Sequence, residues 1–242
     1  MGKEIERAEA FARELAGLYG GDLVAAVLYG SAARGEYREG VSDLNLLVLL
    51  RDAAPATLRR ASAAARRWVD GGNPPPMMLA EDEWRRSADV FPIELTDIRD
   101  AHRVLHGADP FAGIAIDPAD LRHQCEAELK GKQIQLRERY LLTSGQPAEL
   151  GELLVRSFST FLVLFRTVLR LEEGEAPRDP EAVVRAVAGR AGFDPGPVLE
   201  VHRARGAGGK LKPAADAAVV VGYLDAVEKV VRYVDRHASG RG

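Results

Sequence analysis

The spacing of apolar positions along this chain changes character once, near residue 110. Over residues 4–19, Phe11, Leu15 and Leu18 recur at helical spacing within a charged surround, which predicts an opening helix. Leu23–Tyr29 and Leu44–Leu50 are short apolar runs, and the nearly uniform second one reads as a central strand covered on both faces. Residues 58–69 read as a helix that the breaker Asp70-Gly71-Gly72-Asn73 and three following prolines bring to a stop. A short strand over 77–79, a helical turn over 81–87 and another strand over Phe91–Ile98 complete this part. A connecting segment, residues 106–120, carries two prolines and two glycines. Everything beyond it reads as helix, over 118–143, 147–173, 179–191, 195–204 and 213–238. The segment FSTFLVLF is apolar nearly all round, which suits the core of a five-helix bundle better than a dimer face. The pattern thus predicts an α/β (α+β) head over residues 1–110 and an all-α bundle over 118–238.

Candidate chemistry lies between the two apolar runs of the head. Leu28 to Leu50 reads LYGSAARGEYREGVSDLNLLVLL, with Gly30-Ser31 at the exit of one strand and Asp43-Leu44-Asn45 at the entry to the next. Strand side chains alternate, so Asp43 and Asn45 point the same way. A Gly-Ser turn at a strand exit lets backbone N–H groups approach a phosphate closely. Oxygen ligands of metal type facing such a turn suggest chemistry on a nucleotide. As a plain local alternative, Ser42-Asp43 could be a helix N-cap, but LNLLVLL is too short and too uniformly apolar for a surface helix.

These residues, Gly-Ser followed some ten positions later by Asp-x-Asn, resemble the signature of the DNA polymerase β-type nucleotidyltransferases. That superfamily includes the aminoglycoside and the minimal nucleotidyltransferases. The resemblance covers about residues 20–110 and implies a mixed β-sheet in the head. It also implies transfer of a nucleoside monophosphate, AMP first, from a nucleoside triphosphate to an acceptor hydroxyl. In such chemistry two Mg²⁺ ions held by shared carboxylates clamp the attacking and leaving oxygens. By this resemblance Gly30 and Ser31 hold phosphate, and Asp43 is the first metal carboxylate. Asn45 stands where the second belongs, and Glu94 in FPIELTDI supplies the third and helps deprotonate the acceptor. Asp97 is set aside because an odd offset from Glu94 puts it on the other face of a strand.

Asn45 is the departure from the family pattern. An amide in place of a bridging carboxylate removes a full charge from the site. Two readings follow: an active enzyme in which one Mg²⁺ suffices with the triphosphate's own oxygens, or a degenerate member that binds nucleotide or a partner protein as a regulatory module. Arg34 is a candidate triphosphate contact, since a guanidinium fork suits phosphate, and a solvated loop arginine is its other reading. The antibiotic-modifying relatives also have a helical part that closes over the nucleotide. By that analogy Lys132, with Lys130 and Arg137, reaches the triphosphate, against the ordinary reading of ELKGKQIQLRER as a solvated helix face.

Composition narrows the partners. A net charge of −3 with mixed signs gives no basic footprint for general nucleic-acid binding. The single cysteine, Cys125, excludes an internal disulfide and reads as a small buried apolar residue. The charged amphipathic start has no signal-peptide core, and Phe158–Leu171 is too short and too interrupted by Arg166 and Arg170 to span a bilayer. A cytoplasmic protein acting on a small-molecule or protein acceptor is therefore expected. Two weaker patterns remain. His102 and His106 are four apart, as on a metal-binding helix face, but with no third ligand nearby. RYVDRH, from Arg232 to His237, is similar to the Arg-x4-His pattern of helical HEPN-type ribonucleases. Walker-type and GxGxxG phosphate loops are absent, and GAGGK at 206–210 lacks their spacing.

Overall fold

The structure, a computed structural model, describes residues 2–37, 42–208 and 210–239, the last three without their side chains. It divides into two compact units, Met1–Asp117 and Pro118–Gly242.

The first unit is built on α1 (Lys3–Tyr19), whose Ala8, Phe11, Ala12, Leu15 and Tyr19 fall on one buried stripe. Strand β1 (Leu23–Tyr29) leads through the four-residue α2 (Ser31–Arg34) to β2 (Asn45–Leu50). Then come α3 (Pro55–Arg59), α4 (Ser62–Asp70), β3 (Met77–Ala80), α5 (Glu81–Arg86), α6 (Pro92–Asp100) and β4 (His102–Gly107). The strands form one mixed sheet in the order β3-β2-β1-β4. β1 runs antiparallel to both β2 and β4, and β2 runs parallel to β3. Both faces are covered, and alternation along β2 sorts its residues between them. Leu46, Val48 and Leu50 pack with Phe11, Leu15 and Trp68, whereas Leu47 and Leu49 pack with Trp84, Leu95 and Ile98. A strand buried on both faces reads as a continuous apolar run, which is why β2 shows so little alternation in sequence.

Two expectations change. The helix expected over 58–69 is broken into α3 and α4 at Arg60 and Ala61. There the Arg60 guanidinium turns back to Asp22 (2.9 Å) and to the Leu18 carbonyl (2.6 Å), while Ala61 is buried. The strand expected over Phe91–Ile98 is the helix α6, and the fourth strand falls one segment later, at His102–Gly107. Proline is the reason. Pro92 lacks the N–H a sheet ladder needs, but its fixed φ suits the first position of a helix. The Thr96 hydroxyl then donates to the Pro92 carbonyl at 2.6 Å inside the first turn. His102 and His106 therefore lie on a strand, and the shared helix face considered for them does not exist.

The second unit is a bundle of α7 (Pro118–Thr143), α8 (Pro147–Glu173), α9 (Pro180–Ala191), α10 (Pro195–Gly206) and α11 (Ala218–Ser239). Asp179 and Asp194 cap α9 and α10 by accepting from the Ala182 and Gly196 N–H groups, both at 2.9 Å. α8 is the hub and packs against each of the other four helices. Phe158, Phe161, Leu162, Leu164 and Phe165 are accordingly all buried, which makes FSTFLVLF core. Arg166 and Arg170 are buried with them, and Arg166 reaches the Arg178 carbonyl at 2.8 Å. Among the described residues no helix is long and apolar enough to cross a membrane.

Candidate active site

The turn at Gly30-Ser31 is held by its backbone. Gly30 has φ 79° and ψ −149°, a conformation L-residues scarcely enter, and its N–H donates to the Ala101 carbonyl at 3.1 Å. This places α2 directly at the end of β1, with the N–H groups of its first residues lacking partners within the helix. Gly35, also at positive φ (78°), closes the turn, and the Glu36 N–H returns to the Ser31 carbonyl at 2.9 Å.

Across the sheet, Asn45 pairs with Tyr29, and Tyr29 pairs with His102 on its other side. Directly paired residues of antiparallel strands share a face, so these three side chains form a row across one end of the sheet. Asn45 also lies against the turn: a Cβ placed on Gly30 would stand 3.2 Å from the Asn45 Nδ2. The Gly-Ser turn and the Asp-x-Asn edge, thirteen residues apart in the chain, are thus brought into contact. Asp43 precedes the strand and is exposed, while Leu44 between them is buried in the α1-side core.

The carboxylates fall differently from the sequence expectation. Glu94 sits on α6, not on a strand, and is exposed. On a helix the parity argument against Asp97 no longer holds, since residues three apart are neighbours. Asp97 is half-buried and accepts a 2.8 Å hydrogen bond from the Arg34 guanidinium, the two side chains being 17% and 11% exposed. Arg34, the candidate triphosphate contact, is therefore bound to a carboxylate of its own unit. Burial raises the Tyr29 phenol above its ordinary range, and the negative charge of Asp97 adds to the effect. Asp97 and Tyr29 are the residues that sequence reasoning missed. The signal for Asp97 was Pro92, which converts a strand period into a helical one.

The donor set limits what metal the site can take. Among the described residues no group of three or more His, Cys, Asp or Glu side chains stands together as a metal cluster. The carboxylate clamp for two ions does not fit these residues. One carboxylate, Asp43, and one amide oxygen, Asn45, do fit a single Mg²⁺ arriving with a triphosphate, because Mg²⁺ takes one or two protein oxygens and fills the rest with phosphate and water.

The other candidates belong to the second unit. Lys132 belongs to α7 in the second unit, 3.8 Å from Glu128 one turn away. Lys130 and Arg137, on the same helix, pair with Asp235 (3.8 Å) and Glu228 (3.1 Å) of α11. Arg232 pairs with Glu228, and the His237 side chain of the RYVDRH pattern lies outside the described residues. Cys125 is fully buried, which pushes its thiol up to about 12.

Residues 8–96 match the nucleotidyltransferase domain family. No curated protein matches the chain in sequence. Among solved structures the fold is similar to that of a spectinomycin adenyltransferase, AAD(9), from Enterococcus faecialis, crystallised with ATP and spectinomycin. The two share 12% identity with a TM-score of 0.59, over 95% of this chain and 99% of that one. At that identity the likeness is one of fold.

Proposed function

With residues 8–96 matching the nucleotidyltransferase domain family, which supports the resemblance to the DNA polymerase β-type superfamily, we propose that the chain transfers a nucleoside monophosphate, AMP first, from a nucleoside triphosphate to an acceptor hydroxyl. The observation that carries this reading is the contact between the Gly30 turn and Asn45, which sets the Gly-Ser turn against the start of β2. In it the Ser31 hydroxyl and the first N–H groups of α2 donate to phosphate oxygens. Asp43 and the Asn45 amide oxygen hold the Mg²⁺ that comes with the triphosphate. When bound, that ion supplies charge stabilisation for the leaving pyrophosphate. Glu94, exposed on α6, is the carboxylate assigned to the acceptor proton. ATP is favoured as donor, and a small molecule as acceptor, by likeness to a fold crystallised with ATP and an antibiotic. Such a reaction suits the cytoplasm, where ATP is plentiful.

A second reading has its own support. Asn45 lowers the charge of the metal edge, and Arg34, the candidate triphosphate contact, is held in an ion pair by Asp97. Both features suit a module that binds nucleotide without turning it over. Pyrophosphate release separates the readings. Release from the natural protein, lost in Asp43→Ala, supports the transferase. Silence in the natural protein with activity gained in Asn45→Asp refutes it and supports the binding module.

A further inference from the structure

The second unit has a groove of about 190 Å³ between α7 and α8 that none of this chemistry uses. The two helices run antiparallel, joined by the short connection at 144–146, and their facing stripes form its walls. Lys132, Gln135 and Arg139 line it from α7, and Arg156, Ser157 and Thr160 from α8. The floor is the apolar surface of Leu136, Leu153 and Phe161, all buried. Three cations line the groove and no carboxylate does.

The partners of these groups sort them by availability. Among the described residues Lys132 and Arg156 have only the exposed pairs one turn away, to Glu128 and Glu152. Pairs of that kind are weak and yield readily to a stronger anion. Arg139 takes part in no ion pair among the described residues. The Ser157 hydroxyl donates to the Leu154 carbonyl at 3.0 Å, so at its 3.0 Å contact with Tyr223 the phenol is the donor. Ser157 therefore offers no proton to a ligand, which leaves Gln135 and Thr160 as the neutral donors of the walls.

We propose that this groove binds a small anion carrying two or more linked phosphoryl groups. Lys132 and Arg139 are seven residues apart, about 10 Å along the helix axis, with Arg156 facing them from across the groove. That spread of positive charge exceeds a single phosphate and matches a di- or triphosphate. Guanidinium forks on both walls give paired donors to its terminal oxygens. In this assignment Lys132 meets phosphate within the second unit, by residues of that unit alone, and independently of Asp43 and Asn45.

The test is calorimetric titration of the full chain with inorganic tripolyphosphate at low ionic strength and without Mg²⁺. Binding is expected in the natural protein and in Asp43→Ala alike, weakened at least tenfold in Arg139→Gln/Arg156→Gln, and lost in high salt. Thr160→Val, which removes one donor and no charge, is expected to weaken it severalfold, with circular dichroism checking that each variant keeps its helices. No binding by the natural protein, or binding unchanged in the double-arginine variant, overturns the proposal. Competition by ATP identifies a nucleotide as the phosphate source, and its absence an inorganic polyphosphate. Failure here is distinct from failure of the transferase reading, which is read from pyrophosphate release by the natural protein and its loss in Asp43→Ala.

Discussion

Gly30→Ala tests the geometry on which the candidate site rests. The Gly30 backbone, at φ 79° and ψ −149°, lies where a Cβ clashes with its own chain, at a cost of about 1–3 kcal/mol. The new methyl would also meet the Asn45 Nδ2 at 3.2 Å, a contact that must give by a few tenths of an ångström. Together the two effects are expected to destabilise the first unit by about 2–3 kcal/mol. The chain has two tryptophans, Trp68 and Trp84, both buried in the first unit, so fluorescence-monitored urea unfolding reads that unit directly. With a slope of about 2 kcal/mol/M the midpoint should fall by roughly 1 M. Asn45→Ala in the same background separates the two contributions. It should recover the packing share, a coupling of about 0.5–1 kcal/mol, and leave the backbone share in place. A Gly30→Ala protein within ~0.5 kcal/mol of the natural one, or a loss fully rescued by Asn45→Ala, would refute the reasoning that the turn is set by its positive φ.

Three further perturbations probe other parts. Asp97→Asn leaves the mostly buried Arg34 guanidinium without its counter-charge and should cost about 1–3 kcal/mol by the same fluorescence assay; it should also lower the Tyr29 pKa, seen by NMR titration of the ring, because one of the two causes that raise it is gone. Asn45→Asp places a second carboxylate beside Asp43, so the first unit should lose stability in EDTA and regain it with Mg²⁺, with ATP binding tightened roughly tenfold or more by the ion. The Cys125 thiol, held at about 12 against an unfolded value near 9.0, favours the native state fully below pH 9; as pH rises from 9 towards 12 the unfolded chain alone ionises and that stability is lost. By pH 10 the loss should be on the order of 1 kcal/mol relative to Cys125→Ala, measured by urea unfolding followed by circular dichroism. Over the same range the folded protein should resist thiol-modifying reagents.

Local signals were enough for most elements. The β1 run, the apolar run of β2 and the five helices of the bundle all follow from period and length, since burial on one stripe or two faces leaves its mark on neighbouring residues. Gly30-Ser31 and Asp43-x-Asn45 were legible for the same reason: a turn and a strand edge are short-range features with demanding residue types. Residues 91–100 were not, because FPIELTDI carries apolar residues that suit either period, and only the proline, read as a helix start, tips the balance.

The sequence alone therefore determined the two-part organisation, the Gly30-Ser31 turn between two apolar runs, and an amide, Asn45, where the pattern it resembles has a carboxylate. Tertiary structure alone decided that Asp97 lies on a helix and is bound to Arg34, and that Tyr29 and Asn45 share a row. It also decided that Arg139 and Arg156, on different helices, line one groove. A motif fixes which groups are present within a few residues. Which charge meets which depends on how helices dock on the sheet and on one another, and that is set by packing among residues far apart in the chain.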